Sequence, residues 1–206
     1  MTLSSLLPPA SQTNTVALRL LEHTHLPLDA PILDLGAGNA SLLDALLEQG
    51  YTNMIAADVS AAALDAHQQI LTTEQVQQVL WLVDDVTHPQ ELRTLSPILL
   101  WHDRAMLPLL RLAQQQAAYR EILDYMVLPG EGWVLLSAYE PEAAPTGDMP
   151  VQTYSLTQLV AFLGPDYTLH GHQAYMQLQP DSTSQPCRYV LFKRQEQTEK
   201  PFRRPA

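Results

Sequence analysis

The 206-residue chain is poor in several things, and each shortage excludes a class of protein. It has one cysteine, Cys187, so an internal disulfide framework is impossible and a reducing, cytoplasmic setting is expected. Basic residues are scarce: 11 Lys and Arg stand against 22 Asp and Glu, a formal net charge of −11. Nucleic acid backbones demand a basic surface, so no nucleic-acid partner is expected. No apolar run approaches the ~20 residues needed to span a bilayer, and no membrane partner is expected. The N-terminus lacks a basic segment followed by an apolar one, so no signal peptide is expected either. His23 and His25 lie close together, but no cysteine or carboxylate cluster accompanies them, and no metal is expected. No internal repeat is visible. What is abundant is apolar side chain, 46% of the total, enough for a globular domain with a sizeable core.

The chain is organised around Pro31 to Val59, PILDLGAGNASLLDALLEQGYTNMIAADV. Ile32 to Leu35 is a short apolar run, as in a strand buried on both faces. Gly36-Ala37-Gly38 follows at once and permits a sharp turn with no Cβ to hold a ligand away. Ser41 to Glu48 has helical periodicity, Gly50 is a stop, and Met54 to Ala57 is a second strand ending at Asp58. Such a unit places a small ligand over the turn and a carboxylate where a ribose diol would lie. A dinucleotide site wants G-x-G-x-x-G, and Ser41 stands where the third glycine would be. An acidic residue in the strand followed by G-x-G, here Asp34-Leu35-Gly36-Ala37-Gly38, resembles the class I S-adenosylmethionine (SAM)-dependent methyltransferases.

The remaining expectations follow the chain in order. Residues 1–30 are expected as a helical lead-in, with Met1 to Ala10 loose and Ser11 to His23 a helix; the resemblance implies that this helix covers the SAM pocket. Ala61 to Leu71 is expected as a helix capped by Ser60, with His67 on its surface, and the polar stretch to Gln78 as a helix end and loop. Val79 to Val83 is a third strand, with Asp84-Asp85-Val86 at its carboxyl end, where open parallel sheets bind ligands. Pro97 to Trp101 is a fourth strand, Leu109 to Met126 a helix with Leu112 on its packing side, and Trp133 to Ala138 a fifth strand. Ser155 to Leu163 is a short helix, and Tyr167 to Leu178 with Arg188 to Lys193 form a closing hairpin. The resemblance implies one domain over residues 1–194: an α/β fold with a doubly wound, mostly parallel seven-stranded sheet and one antiparallel strand. Residues 195–206 are expected to be a tail outside it.

The resemblance also implies roles. Gly36, Ala37 and Gly38 would hold the methionine end of SAM with Asp34 behind them. Asp58, with Val59, would hold the ribose, and Asp85 with Val86 the adenine, with Asp84 second. Trp101 joins this cofactor set. Trp101-His102-Asp103-Arg104-Ala105 is the most unusual stretch, and similar W-H-D-R-A segments occur in a bacterial group of class I methyltransferases. A looser echo occurs in thiopurine methyltransferases, and a related W-D-K-G pattern in some protein-lysine methyltransferases. His102 is the candidate general base, Asp103 would hold the acceptor, and Arg104 would pair with an anionic substrate or with Asp103. The alternative is an internal network that braces the loop. Tyr139 and Tyr154 flank a long proline-rich loop expected to act as an acceptor-side lid, with both rings lining the acceptor site. In the W-H-D-R-A group that loop carries Cys-Ser-Gly-Leu-Pro and an Arg before the tyrosine; here it has Thr146 to Pro150 and Thr153. The expected activity is methyl transfer from SAM to a sulfur, nitrogen or oxygen nucleophile of a small molecule. A protein lysine as acceptor, or a SAM-binding protein without turnover, is the alternative.

Overall fold

The computed structural model describes residues 9–39, 42–143, 152–178 and 183–196. Seven strands form one sheet: β1 (Ile32–Leu35), β2 (Met54–Asp58), β3 (Val79–Val83), β4 (Leu100–Arg104), β5 (Trp133–Tyr139), β6 (Tyr167–Leu178) and β7 (Ser184–Arg194). Their order is β3-β2-β1-β4-β5-β7-β6. The first five strands run parallel, and β7 lies antiparallel to both β5 and β6. The expected doubly wound sheet with one antiparallel strand is therefore the fold. The sheet reverses direction of winding between β1 and β4, and their carboxyl ends lie side by side there.

Strand alternation sorts the core into two layers. On one face Ile32, Ala56, Leu100 and Leu135 pack under α1 (Pro9–Leu21), α2 (Leu42–Glu48) and α3 (Ala61–Gln68). On the other, Leu33, Ile55, Trp101 and Val134 pack under α5 (Ala113–Met126) and α6 (Leu156–Leu163). Helix α3 begins at Ser60, whose side chain accepts from the Ala63 amide, as its sequence predicts. Ser155 opens α6 in the same way.

Four expectations are corrected. The polar stretch after α3 contains a helix, α4 (Thr73–Gln77), because Thr72 and Gln75 form a reciprocal capping box. The fourth strand begins at Leu100, not at Pro97, and carries the W-H-D-R residues inside it. Ile98 instead makes an isolated bridge to Val127. Helix α5 starts later than expected, and Leu112 caps its start at 64% exposure instead of packing. The last strand starts at Ser184, four residues before Arg188, because its partner β6 runs its full expected length opposite it. The central part of the expected lid, residues 144–151, and residues 197–206 of the tail lie outside the described residues.

Two arginines close the helix ends on the α5 side. The Arg194 guanidinium donates to the carbonyls of Asp124 and Val127 at the end of α5, and it is 4% exposed. Arg120 donates to the carbonyls of Phe162 and Leu163 at the end of α6. A cation at a helix C-terminus meets both the orphan carbonyls and the negative end of the dipole. Arg194→Met keeps the stem but leaves those carbonyls unmet. It should cost about 2–4 kcal/mol in urea unfolding, and a loss below ~0.5 kcal/mol would refute the cap.

Candidate active site

The site is built where β1 and β4 end. Asp34 and His102 sit opposite each other in the register of these strands, and both point to the α1–α2 face. His102 Nδ1 donates to Asp34 Oδ1 at 2.6 Å, and its Nε2 meets the Tyr189 hydroxyl at 3.2 Å. Both side chains are about 1% exposed. The other carboxylate oxygen, Asp34 Oδ2, is buried with no hydrogen-bond partner among the described residues. Buried acceptors are almost always paired, so one left open marks a place where a donor is meant to sit.

The chain leaves β1 through Gly36, at φ +75°, whose amide donates to the Ala57 carbonyl. A Cβ there would lie 2.9 Å from Met106 Cγ. At Gly38 a Cβ would lie 2.4 Å from Ala63 Cβ and 2.9 Å from Asp58 Oδ2. Both glycines are therefore needed for the close approach of the turn to its neighbours. Asp58, at the end of β2, accepts from the Gly38 amide through Oδ2 at 3.0 Å and from the Ser60 amide through Oδ1 at 2.9 Å. Each oxygen keeps a second lone pair for a ligand hydroxyl. Val59 next to it is 60% exposed.

The two carboxylates after β3 differ. Asp84 is buried and accepts from the amides of Asp85, Gln90 and Leu92, so it fastens its own loop. Asp85 is half exposed and accepts from the Thr87 amide and hydroxyl. Partial burial pushes its carboxyl upward, but the Thr87 bonds and His88 outweigh that and hold it below the ordinary value. Val86 is buried beneath them.

Alternation along β4 splits the W-H-D-R segment between the two faces. Trp101 is wholly enclosed on the α5 face, and its indole donates to the Tyr119 hydroxyl at 3.0 Å. Asp103 is also wholly buried on that face. Its oxygens accept from the Met106 amide at 2.6 Å, the Leu107 amide at 3.0 Å and the Tyr119 hydroxyl at 2.7 Å. Burial pushes its carboxyl up to about 6, and the three donors offset part of that rise. Asp103 braces the turn after β4, where Ala105 takes φ +65° and Met106 comes down on Gly36. His102 is buried on the opposite face, with both ring nitrogens engaged by Asp34 and Tyr189. Arg104 is half buried at the strand end, beside Tyr175 and Tyr189. Burial raises both of those hydroxyls far above their ordinary range, and the Arg104 charge offsets part of the rise.

Tyr139 and Tyr154 are backbone neighbours, joined by the Tyr154 amide to the Tyr139 carbonyl at 2.8 Å. Their rings do not converge on one site: Tyr139 packs in the α1–α2 layer and Tyr154 in the α5–α6 layer. The Tyr154 hydroxyl donates to Gln152 and accepts from Gln116. His67, expected on the surface, is 3% exposed and bonded to the glycine turn. The described residues hold no group of His, Cys, Asp and Glu suited to a metal.

Tyr119→Phe removes one donor to Asp103 and the acceptor of the Trp101 indole together. It should destabilise the protein by about 2–3 kcal/mol in urea unfolding; a change under ~0.5 kcal/mol would mean that water serves both partners equally well.

No family model matches the chain. Over 72 residues, 35% of its length, it is 32% identical to EEF1A lysine methyltransferase 2 of Mus musculus. The match to the same protein of Danio rerio is 33% over 72 residues. The chain spans about 30% of the length of these relatives. Solved structures match over nearly the whole chain. A SAM-dependent methyltransferase of Anabaena variabilis superposes at TM-score 0.71 with 14% identity, over 91% of this chain and 86% of that one. One from Methanosarcina mazei gives 0.68 and 13%, over 85% and 97%. The N-methyltransferase NodS of Bradyrhizobium japonicum with bound S-adenosylhomocysteine gives 0.65 and 18%, over 92% and 89%. The seven-stranded sheet and its order thus belong to the Rossmann-like fold of the class I SAM-dependent methyltransferases.

Proposed function

We propose that the chain binds SAM over the Gly36–Gly38 turn and transfers its methyl group to a nucleophile of a small molecule. The observation that carries this reading is the open, buried Asp34 Oδ2. A carboxylate oxygen at a buried site without a donor suits a cationic group, and the α-ammonium of SAM is one. The glycine turn beside it offers backbone without side chains, and Asp58 keeps lone pairs for a ribose diol. Asp85, half exposed at the end of β3, would accept from an adenine amino group, with the buried Val86 next to it in the chain. The residues present fit the group.

Bound SAM supplies an electrophilic methyl on a sulfonium. The chain's own work is then to bind, orient and exclude water. His102 acts as a positioning residue, holding one oxygen of Asp34 so that the other stays aimed at the ligand. Asp103 fixes the Met106 turn against Gly36 and so shapes the wall of the cleft. Arg104 remains the candidate of the W-H-D-R segment for an acceptor-side role, as a cation and not as a base. His102 and Asp103 have their polar atoms engaged. The arrangement therefore suits an acceptor that arrives as its own nucleophile, such as a neutral amine or a thiolate. A second reading, a protein lysine, is supported by the match to the EEF1A lysine methyltransferase 2 sequences, which covers a third of this chain.

Calorimetric titration with S-adenosylhomocysteine, with NAD in parallel, tests the cofactor. Micromolar binding of the former alone is expected; binding of NAD alone, or of neither, would overturn the reading. Asp34→Asn places an amide against the ligand cation and should weaken that binding at least tenfold. Asp58→Ala should do the same, and unchanged affinity in either folded variant would remove that residue from the site.

A further inference from the structure

The peptide group between Ala37 and Gly38 is held from both sides. Its carbonyl oxygen accepts from His67 Nδ1 at 2.7 Å, and its amide donates to Asp58 Oδ2 at 3.0 Å. The other His67 nitrogen, Nε2, lies 2.6 Å from Asp44 Oδ1 on α2. A carbonyl only accepts, and an ionised carboxylate only accepts, so both contacts are satisfied when both ring nitrogens carry a proton. The ring is enclosed by α2, the turn and β3, whose Trp81 meets it edge-on at a centroid distance of 5.5 Å. The charged groups facing it from packed elements are Asp44 on α2 and Asp34 on β1.

We propose that His67 is a positioning residue for cofactor binding: its doubly bonded, protonated form fixes the Ala37–Gly38 peptide plane and thereby makes SAM affinity depend on pH. The inference rests on the SAM reading above. No catalytic role is needed for it, since His67 reaches the ligand only through the turn.

The direction of the pH effect follows from the surroundings. The Asp44 hydrogen bond raises the imidazole above its ordinary value of 6.5, burial opposes it, and the Ala37 carbonyl adds to the rise. A basic group raised on folding contributes stability that is complete below the unfolded value and lost as pH rises through the folded one. Deprotonation leaves one N–H for two acceptors, so either the turn carbonyl or Asp44 loses its donor. The peptide plane is then freer, and ordering it falls to the ligand.

The test is calorimetric titration with S-adenosylhomocysteine across pH 6–9 for wild type, His67→Gln and Asp44→Asn. His67 ring nitrogens are followed by NMR in parallel, and thermal melts confirm folding. Wild-type affinity is expected to fall about three- to tenfold as the ring loses its proton. Asp44→Asn should move that fall to lower pH, and His67→Gln should abolish it while binding more weakly at pH 6. A merely structural histidine would not link the midpoint of affinity to Asp44. Wild-type affinity that stays flat while the ring titrates would overturn the role and leave the SAM reading standing. Absence of binding at every pH would overturn both.

Discussion

The pairing of Asp34 with His102 across β1 and β4 is the constraint that the site depends on. Burying a carboxylate in the middle of a sheet is costly unless its charge is met. Here one oxygen is met by an imidazole 2.6 Å away, and the imidazole is met in turn by Tyr189 from β7. Tyr189 stacks on Tyr175 of β6 at 5.1 Å, and the Tyr175 hydroxyl shares a 2.6 Å bond with Ser137 of β5. The polar chain therefore crosses from the first strand to the antiparallel pair, and each link limits where the next can sit. A buried carboxylate–imidazole contact is by itself weak evidence for stability. Under the proposed function, the open oxygen beside the glycine turn is where a cationic ligand group would be met.

Much of this was legible in the sequence, for a physical reason. Strands buried on both faces give continuous apolar runs, and the turn after β1 needs glycines, so β1, α2 and β2 announce themselves locally. Asp34, Asp58 and Asp85 stand out because they interrupt or end such runs. The fourth strand was harder. Pro97 to Trp101 is apolar and looks like a strand, while Trp101 to Arg104 looks like a polar loop. The charges are tolerated inside β4 because each has partners from other elements: Asp34 for His102, and Tyr119 with two amides for Asp103. None of those pairings is local except the Met106 and Leu107 amides.

His67 shows the same limit more sharply. On its helix it sits among polar and small residues, and only its partners 30 and 23 positions upstream remove it from solvent. Short helix α4 was missed for the opposite reason. Its signal was present as Thr72 and Gln75 at capping-box spacing, but five polar-rich residues carry no apolar periodicity to support it.

The division of labour within the fold follows from where its rigidity lies. The turn is fastened at Gly36 to β2, at Ala37 to α3, and at Gly38 to both β2 and α3, so the half of the fold that carries the proposed cofactor site has little freedom to vary. The opposite half is formed by the segments after β4 and β5 and by the β6–β7 hairpin, whose side chains alternate between core and surface. Changes there leave Asp34 and the turn in place only where Tyr189 keeps its contact with His102 and Met106 its contact with Gly36. A fold built this way can retain one donor while its acceptor changes, since the two are specified by different stretches of chain.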